Sequence, residues 1–273
     1  MAHPPLKFFA RLSRHGAALL LCACVAACSF NEAGYGVGAQ AERAAKLQQS
    51  AHDPAPDTPG MYLGLIDRMQ AQGLYYASLA HIDAYDKQYG ASPDSILLRA
   101  DALRATDQPA PSAAAYRQLL GTPLVARGYR GVGLLAGAAG DFDAAVEALQ
   151  QATLLAPTDA ATLSDLGYAL LRAGDIDGAR VPLMKAAELD MRNPKVIGNV
   201  ALYLSADGQT KQAQALMNEQ KLSPGVRAQI RDEMLKVAAA SRARRAAKAA
   251  QAPSVASAHD AEPVAPLLQR FAQ

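Results

Sequence analysis

The chain of 273 residues contains no tryptophan and only 5% aromatic residues, and its three cysteines, Cys22, Cys24 and Cys28, all fall in the first tenth of its length. Beyond position 28 there is therefore no disulfide framework, no cysteine-based zinc site and no cysteine nucleophile. An excess of charge of one sign is also missing. Lys plus Arg number 27 against 25 Asp plus Glu, a formal +2, which argues against a general polyanion binder and against nucleic acid as a partner. The sequence has no Gly-x-Ser-x-Gly elbow, no Gly-Lys-Ser/Thr phosphate loop and no Gly-x-Gly-x-x-Gly following a strand. Gly34, Gly36 and Gly38 lack both the preceding strand and the lysine that phosphate binding needs, so they belong to a flexible spacer. His52, His81 and His259 stand far apart, without acidic or cysteine neighbours at ligand spacing. Neither a metal nor a cofactor is expected, and the chain reads as non-enzymatic. What it has in quantity is alanine within a 51% hydrophobic composition, the make-up of a helical protein.

The amino terminus has its own pattern. Lys7, Arg11 and Arg14 precede an uncharged apolar run from Ala17 to Ala27, the layout of a secretory signal peptide. Eleven residues at about 1.5 Å each span only about 16 Å as helix, roughly half a hydrocarbon core, which disfavours a stable transmembrane segment. Val25, Ala26, Ala27 and Cys28 end the run and resemble a bacterial lipobox, which implies cleavage before Cys28 and a covalent lipid on it. Leu21, Cys22, Ala23 and Cys24 form a weaker second candidate. Cleavage before Cys28 removes three positive charges and no negative one, turning +2 into −1. Several acyl chains together give stable anchoring, because each buried CH₂ adds about 0.8 kcal/mol. Ser29 stands where an aspartate would resemble an inner-membrane retention signal, so the resemblance implies the periplasmic face of the outer membrane. Residues 28-57, broken by glycines and prolines, read as a lipidated tether.

The body repeats. Tyr129, Val132, Gly133, Ala136, Ala145, Leu149, Ala152 and Pro157 occupy the eight signature positions of a tetratricopeptide repeat. Advanced by one repeat length, the same frame gives Leu163, Leu166, Gly167, Leu170, Ala179, Leu183 and Ala186, with Met191 in place of proline. A further shift gives Ile197, Val200, Ala201, Leu204, Ala213 and Met217 before the pattern decays at Gln220 and Gly225. The turns Gly140-Asp141, Gly174-Asp175 and Asp207-Gly208 recur with it; glycine supplies a left-handed helix end and the acid caps the next helix. Asp141/Asp143 and Asp175/Asp177 are accordingly caps rather than paired catalytic carboxylates. Small residues at 133, 167 and 201, with Ala145, Ala179 and Ala213, allow two helices to cross closely. Weaker spacing at Ile96, Ala100, Leu103 and Tyr116, and at Met61, Leu65, Ala77 and Ala84, extends the pattern upstream.

The expected fold is thus an all-α tetratricopeptide-repeat solenoid with a disordered amino-terminal tether and carboxy-terminal tail. Residues 1-27 are the signal peptide, 58-225 the array, with its best repeats at 126-159, 160-193 and 194-225, 226-250 a capping helix and 251-273 a disordered tail. Pro182 falls inside a second helix, where a kink is expected. Arg242, Arg244, Arg245 and Lys248 read as a solvated helix end. First helices line the concave face of such arrays, which holds an extended peptide or helix of a partner. In this frame the groove is lined by Arg127, Arg130 and Leu134, then Ser164, Tyr168, Leu171 and Arg172, then Lys195, Asn199 and Leu202, with the cations suited to an acidic peptide or a terminal carboxylate.

Cys28, the repeats over 126-225 and the segment running from Asn199, Val200, Ala201, Leu202, Tyr203 and Leu204 to Gln212, Ala213, Gln214, Ala215 and Leu216 resemble the TadD family, lipoproteins of tight-adherence (Flp) pilus assembly systems. The three best repeats and, separately, the anchor carry this resemblance. It implies a non-enzymatic scaffold at the outer membrane, a pilotin or assembly adaptor whose partner is the secretin or another pilus-assembly protein. The alternative within the same architecture is a lipoprotein of general envelope or outer-membrane-protein assembly.

Overall fold

The computed structural model describes residues 58-251. The expected signal peptide, Cys28, the expected tether and residues 252-273 of the expected tail lie outside the described residues.

Within them the chain forms eleven α-helices and no strand. They are α1 (Pro59–Ala71), α2 (Tyr75–Tyr89), α3 (Pro93–Ala105), α4 (Pro109–Gln118), α5 (Val125–Ala138), α6 (Phe142–Leu155), α7 (Ala160–Arg172), α8 (Ile176–Leu189), α9 (Pro194–Ala206), α10 (Thr210–Glu219) and α11 (Pro224–Gln251). The first ten pair as helix, tight turn, helix, and each pair packs on the next. This is the all-α tetratricopeptide solenoid, stabilised by stacking between neighbours.

The register comes from capping chemistry. Thr58, Ser92, Asp159 and Asn193 end in side-chain oxygens that accept backbone N–H bonds from the first turns of α1, α3, α7 and α9, satisfying donors that a helix start leaves unpaired. Each first helix ends in the same manner. The backbone N–H groups of Leu74, Gln108, Asp141, Asp175 and Gln209 donate to the carbonyls of Met69, Leu103, Ala136, Leu170 and Leu204, at 2.8 to 3.0 Å. The residue before each of these donors has positive φ: Gly73, Asp107, Gly140, Gly174 and Gly208. Successive members of this series stand one repeat length apart, and the series includes the two upstream repeats where the apolar signature is faint. Asp141 and Asp175 accept from the backbone N–H groups of Ala144 and Gly178, both at 3.0 Å, so these acids are helix caps.

The close crossings also lie where small residues fall. A Cβ on Gly167 would stand 2.3 Å from Leu183 Cγ, and one on Gly133 would stand 2.7 Å from Leu149 Cγ. Ala145, Ala179, Ala201 and Ala213 are almost wholly buried. The largest apolar cluster runs from Ala145 of α6 to Val237 of α11, with smaller clusters around Tyr116 and around Ile66, Ile82 and Tyr85. α8 is a single helix with Pro182 buried inside it. The proline lies in its second turn, so the one backbone bond it forfeits is that to the carbonyl of Gly178.

Candidate functional site

The first helices α5, α7 and α9 present one face, and the ten side chains expected to line a groove there divide into three groups. Arg127 is exposed and Leu134 half-buried. Arg130, Lys195, Ser164 and Asn199 are tied together across repeats. Tyr168, Arg172, Leu171 and Leu202 lie under α11.

The second group is built on a residue that sequence reasoning missed. Asp165 is 3% exposed, and its carboxylate accepts from Arg130 Nε of the preceding repeat at 2.9 Å and pairs with the ammonium of Lys195 in the following one. Beside it, Asn199 Nδ2 donates to Ser164 Oγ at 2.9 Å. Three successive first helices are thus laced by one buried carboxylate and one amide. The cations of the two neighbouring repeats compensate the burial of the carboxylate. The signal was present, since Arg130, Asp165 and Lys195 alternate in charge along the chain roughly once per repeat, but it emerges only once the repeats are stacked.

The third group corrects the groove. Leu171 and Leu202 are 0% and 3% exposed, and they share an apolar cluster with Ile230 and Val237 of α11. α11 makes its main contacts with α9 and α7 rather than with α10. It therefore crosses the face of the first helices instead of merely extending the array's open end, and at about 1.5 Å per residue its 28 residues span about 42 Å. Glu233 sits at the middle of the crossing. Its carboxylate accepts from Tyr168 Oη at 2.9 Å, from Arg172 Nη1 at 3.0 Å and from Lys236 Nζ at 2.7 Å. Arg172 is held further by the ring of Phe142, 4.3 Å from its guanidinium carbon to the ring centroid, a cation–π contact. One turn beyond Val237, the backbone of Ala240 lies against Gly174, where a Cβ would come within 2.6 Å of it. Arg244 then reaches Asp175 at 3.2 Å. The acids expected from a partner's peptide are in this way supplied by the chain itself, Asp165 to Arg130 and Lys195, and Glu233 to Arg172.

Burial acts to raise the Glu233 carboxyl, but the hydrogen bonds from Lys236 and Tyr168 and the charge of Arg172 more than offset it and hold the group below the usual glutamate range. Burial pushes the Tyr168 hydroxyl up, and its bond to Glu233 adds to that, so Tyr168 stays a neutral donor. A carboxyl depressed in the folded state contributes stability that is fully present above its unfolded value of about 4.3 and is lost as pH falls through the folded value. Acidification from pH 7 through the depressed folded value of Glu233 is therefore expected to loosen α11, read as a shift of the Val237 methyl resonances toward their detached positions. In Glu233→Gln the same interval should produce no such shift.

Among the described residues no group of three His, Cys, Asp or Glu side chains converges as a metal site. His81 instead bonds Tyr62 Oη through Nδ1 at 3.2 Å within a tyrosine cluster. Among the same residues no helix is long and apolar enough to cross a membrane.

A family model described as tetratricopeptide repeat matches residues 138-196, the stretch from the end of α5 to the start of α9. The chain is 31% identical over 166 residues to the TPR repeat-containing protein PA4299 of Pseudomonas aeruginosa, a match that covers 59% of this chain and 64% of that relative's own length. Its fold is similar to that of TTC0263, a thermophilic TPR protein of Thermus thermophilus, at TM-score 0.56 and 19% identity, covering 65% of this chain and all of the other. It is likewise similar to pilF of Pseudomonas aeruginosa, at TM-score 0.53 and 17% identity, covering 67% of this chain and 88% of the other. The chain carries tetratricopeptide repeats, and arrays of this kind are typically non-enzymatic scaffolds for protein partners.

Proposed function

We propose that this tetratricopeptide-repeat chain is a lipid-anchored assembly adaptor of a tight-adherence pilus, acting from the periplasmic face of the outer membrane on the secretin subunit. The observation that carries this reading is the combination in one chain of an export and lipidation pattern ending at Cys28 with a five-pair helical array. The resemblance to TadD lipoproteins selects the secretin among possible partners. Residues 28-57, between the two parts, are read as the tether that joins the array to its anchor. Anchoring raises the local concentration of the array at the membrane, so micromolar contacts suffice once several secretin subunits multiply them. No step calls for catalysis or a cofactor beyond the lipid on Cys28.

The test combines mass analysis with assembly. The membrane-bound form should begin at an acylated Cys28, and Cys28→Ala should release it from the membrane. In a strain lacking the protein, secretin multimers should be depleted or mislocalised, and the secretin should co-purify with the wild-type protein from detergent-solubilised membranes. Normal multimers without it, and no pilus component co-purifying, would replace this role by general envelope assembly.

A further inference from the structure

On the adaptor reading above, we propose that the face of α7 and α9 is a binding site for an amphipathic helix of the partner, that α11 is its built-in occupant, and that the partner helix gains access by displacing α11. The occupant already seated there defines what the site accepts. Ile230 and Val237 of α11 share one apolar cluster with Leu171 and Leu202, Glu233 between them meets Tyr168 and Arg172, and Ala240 and Ser241 lie against Gly174. The pattern is an apolar residue, an acid three positions later, an apolar residue four later, and small residues three and four positions beyond that. Gly174 makes the last contact specific, because the helix backbone itself rests where a side chain would be, and a bulky residue at the position of Ala240 or Ser241 has little room.

α11 is held in a way that suits release. Its base is pinned, since Arg227 donates to the carbonyls of Leu222 and Met217 at 2.8 and 2.7 Å and to Asn218 Oδ1 at 2.8 Å, bracketing the turn from α10. Beyond that base it buries only Ile230, Val237 and Ser241 among 28 residues, while Leu235 is 64% exposed. Met234, partly buried, packs against the same cluster, and the rest of the hold is polar, through Glu233 and Arg244. A helix attached by so few apolar groups has a smaller hydrophobic contribution to its seat than α7 or α9, which bury nine and six of their thirteen residues. Its displacement frees Tyr168, Arg172 and Gly174 and removes Ile230 and Val237 from the apolar cluster of that face, which favours recovery by a helix of the same pattern.

The experiment uses the full chain in detergent and a fluorescein-labelled synthetic peptide of Pro224–Gln251, read by anisotropy. A chain carrying Glu233→Lys and Val237→Asp releases its own α11 while leaving the face intact. It should bind the wild-type peptide about tenfold more tightly than the unmodified chain, because the apparent affinity of the latter is reduced by the fraction whose face is open. Adding Arg172→Glu should abolish the gain, and a peptide bearing Glu233→Lys should not bind. Equal binding by the unmodified and released chains, or a gain indifferent to Arg172, overturns the proposal. Dimerisation of the unmodified chain in light scattering, lost in the chain carrying Glu233→Lys and Val237→Asp, would overturn it in favour of the α11 of a second copy. Hydrogen exchange on the unmodified chain gives a measurement independent of any variant: amides from Ile230 to Ser241 should exchange about tenfold or more faster than those of α9, as expected for a locally opening unit, and equal protection would identify α11 as a permanent part of the core. Peptide exchange failing while the secretin still co-purifies removes only the gating role. Peptide exchange succeeding without any pilus partner removes the adaptor role and leaves a helix-binding face.

Discussion

Replacing Gly131 with alanine is expected to cost about 1–3 kcal/mol, more than the same change at Gly167 and far more than at Gly137. A Cβ on Gly131 would lie 2.2 Å from the ring of Tyr116. That ring is 1% exposed and fixed at its far end, where Tyr116 Oη donates to Asp101 at 2.5 Å and accepts from Arg104 Nε at 3.1 Å. It has nowhere to retreat, so α4 and α5 must separate. At Gly167 the obstacle is the isobutyl group of Leu183 at 2.3 Å, which gives way in part to a methyl. Leucine at that position exceeds the room available and should itself cost about 1–3 kcal/mol by overpacking. Gly137 has no contact closer than 3.8 Å and should tolerate alanine. Because the array is stabilised pair by pair, hydrogen exchange should show the loss at Gly131 concentrated in α4 and α5. Equal loss of protection across α7 to α9 would contradict the stacking model.

Asp165→Ala should be the most damaging change on the surface formed by the first helices, at about 2 kcal/mol, since hydrogen bonds to charged groups contribute about 1.5–3 kcal/mol each. Asp165 serves Arg130 and Lys195 together. Breaking a fully buried pair costs about 3–5 kcal/mol; here the cost falls short of that because the side chain of Lys195 is 52% exposed and returns to water when its partner is removed. Arg130, at 20%, is left more nearly stranded. The single changes Arg130→Ala and Lys195→Ala should therefore differ, the arginine costing more, and a double-mutant cycle with Asp165→Ala should show strong coupling for Arg130 and weak coupling for Lys195. Chemical denaturation of the single and double variants checks this order. Absence of coupling to either cation would mean that the carboxylate is held by packing rather than by its partners.

The repeat frame was legible in the sequence because each tetratricopeptide unit closes locally. Gly140, Gly174 and Gly208 end first helices with positive φ, Asp141 and Asp175 cap second helices, and Gly133 and Gly167 mark close crossings. All of these depend on neighbours within one repeat, so residue type and spacing carry them. The upstream repeats were harder to see, since Asp107 takes the left-handed position that glycine holds in the other four turns, and Gly128 and Gly131, which admit Tyr116, lie outside the signature positions. The lipidation pattern at Cys28 is a statement about processing and lies outside the described residues.

Only the tertiary structure decided what becomes of the groove. Which side chains point from the first helices follows from periodicity, but whether they meet solvent or protein depends on contacts between residues far apart in the chain, such as Arg130 with Asp165 and Tyr168 with Glu233. An apolar stripe such as Ile230, Met234 and Val237 says that α11 must bury one face. It is silent on which surface receives that face. The open end of the array and the face of the first helices both offer apolar cover, and the choice is made by the seat that Arg172, Phe142 and Gly174 form together, residues that come into one place only when three helix pairs have stacked.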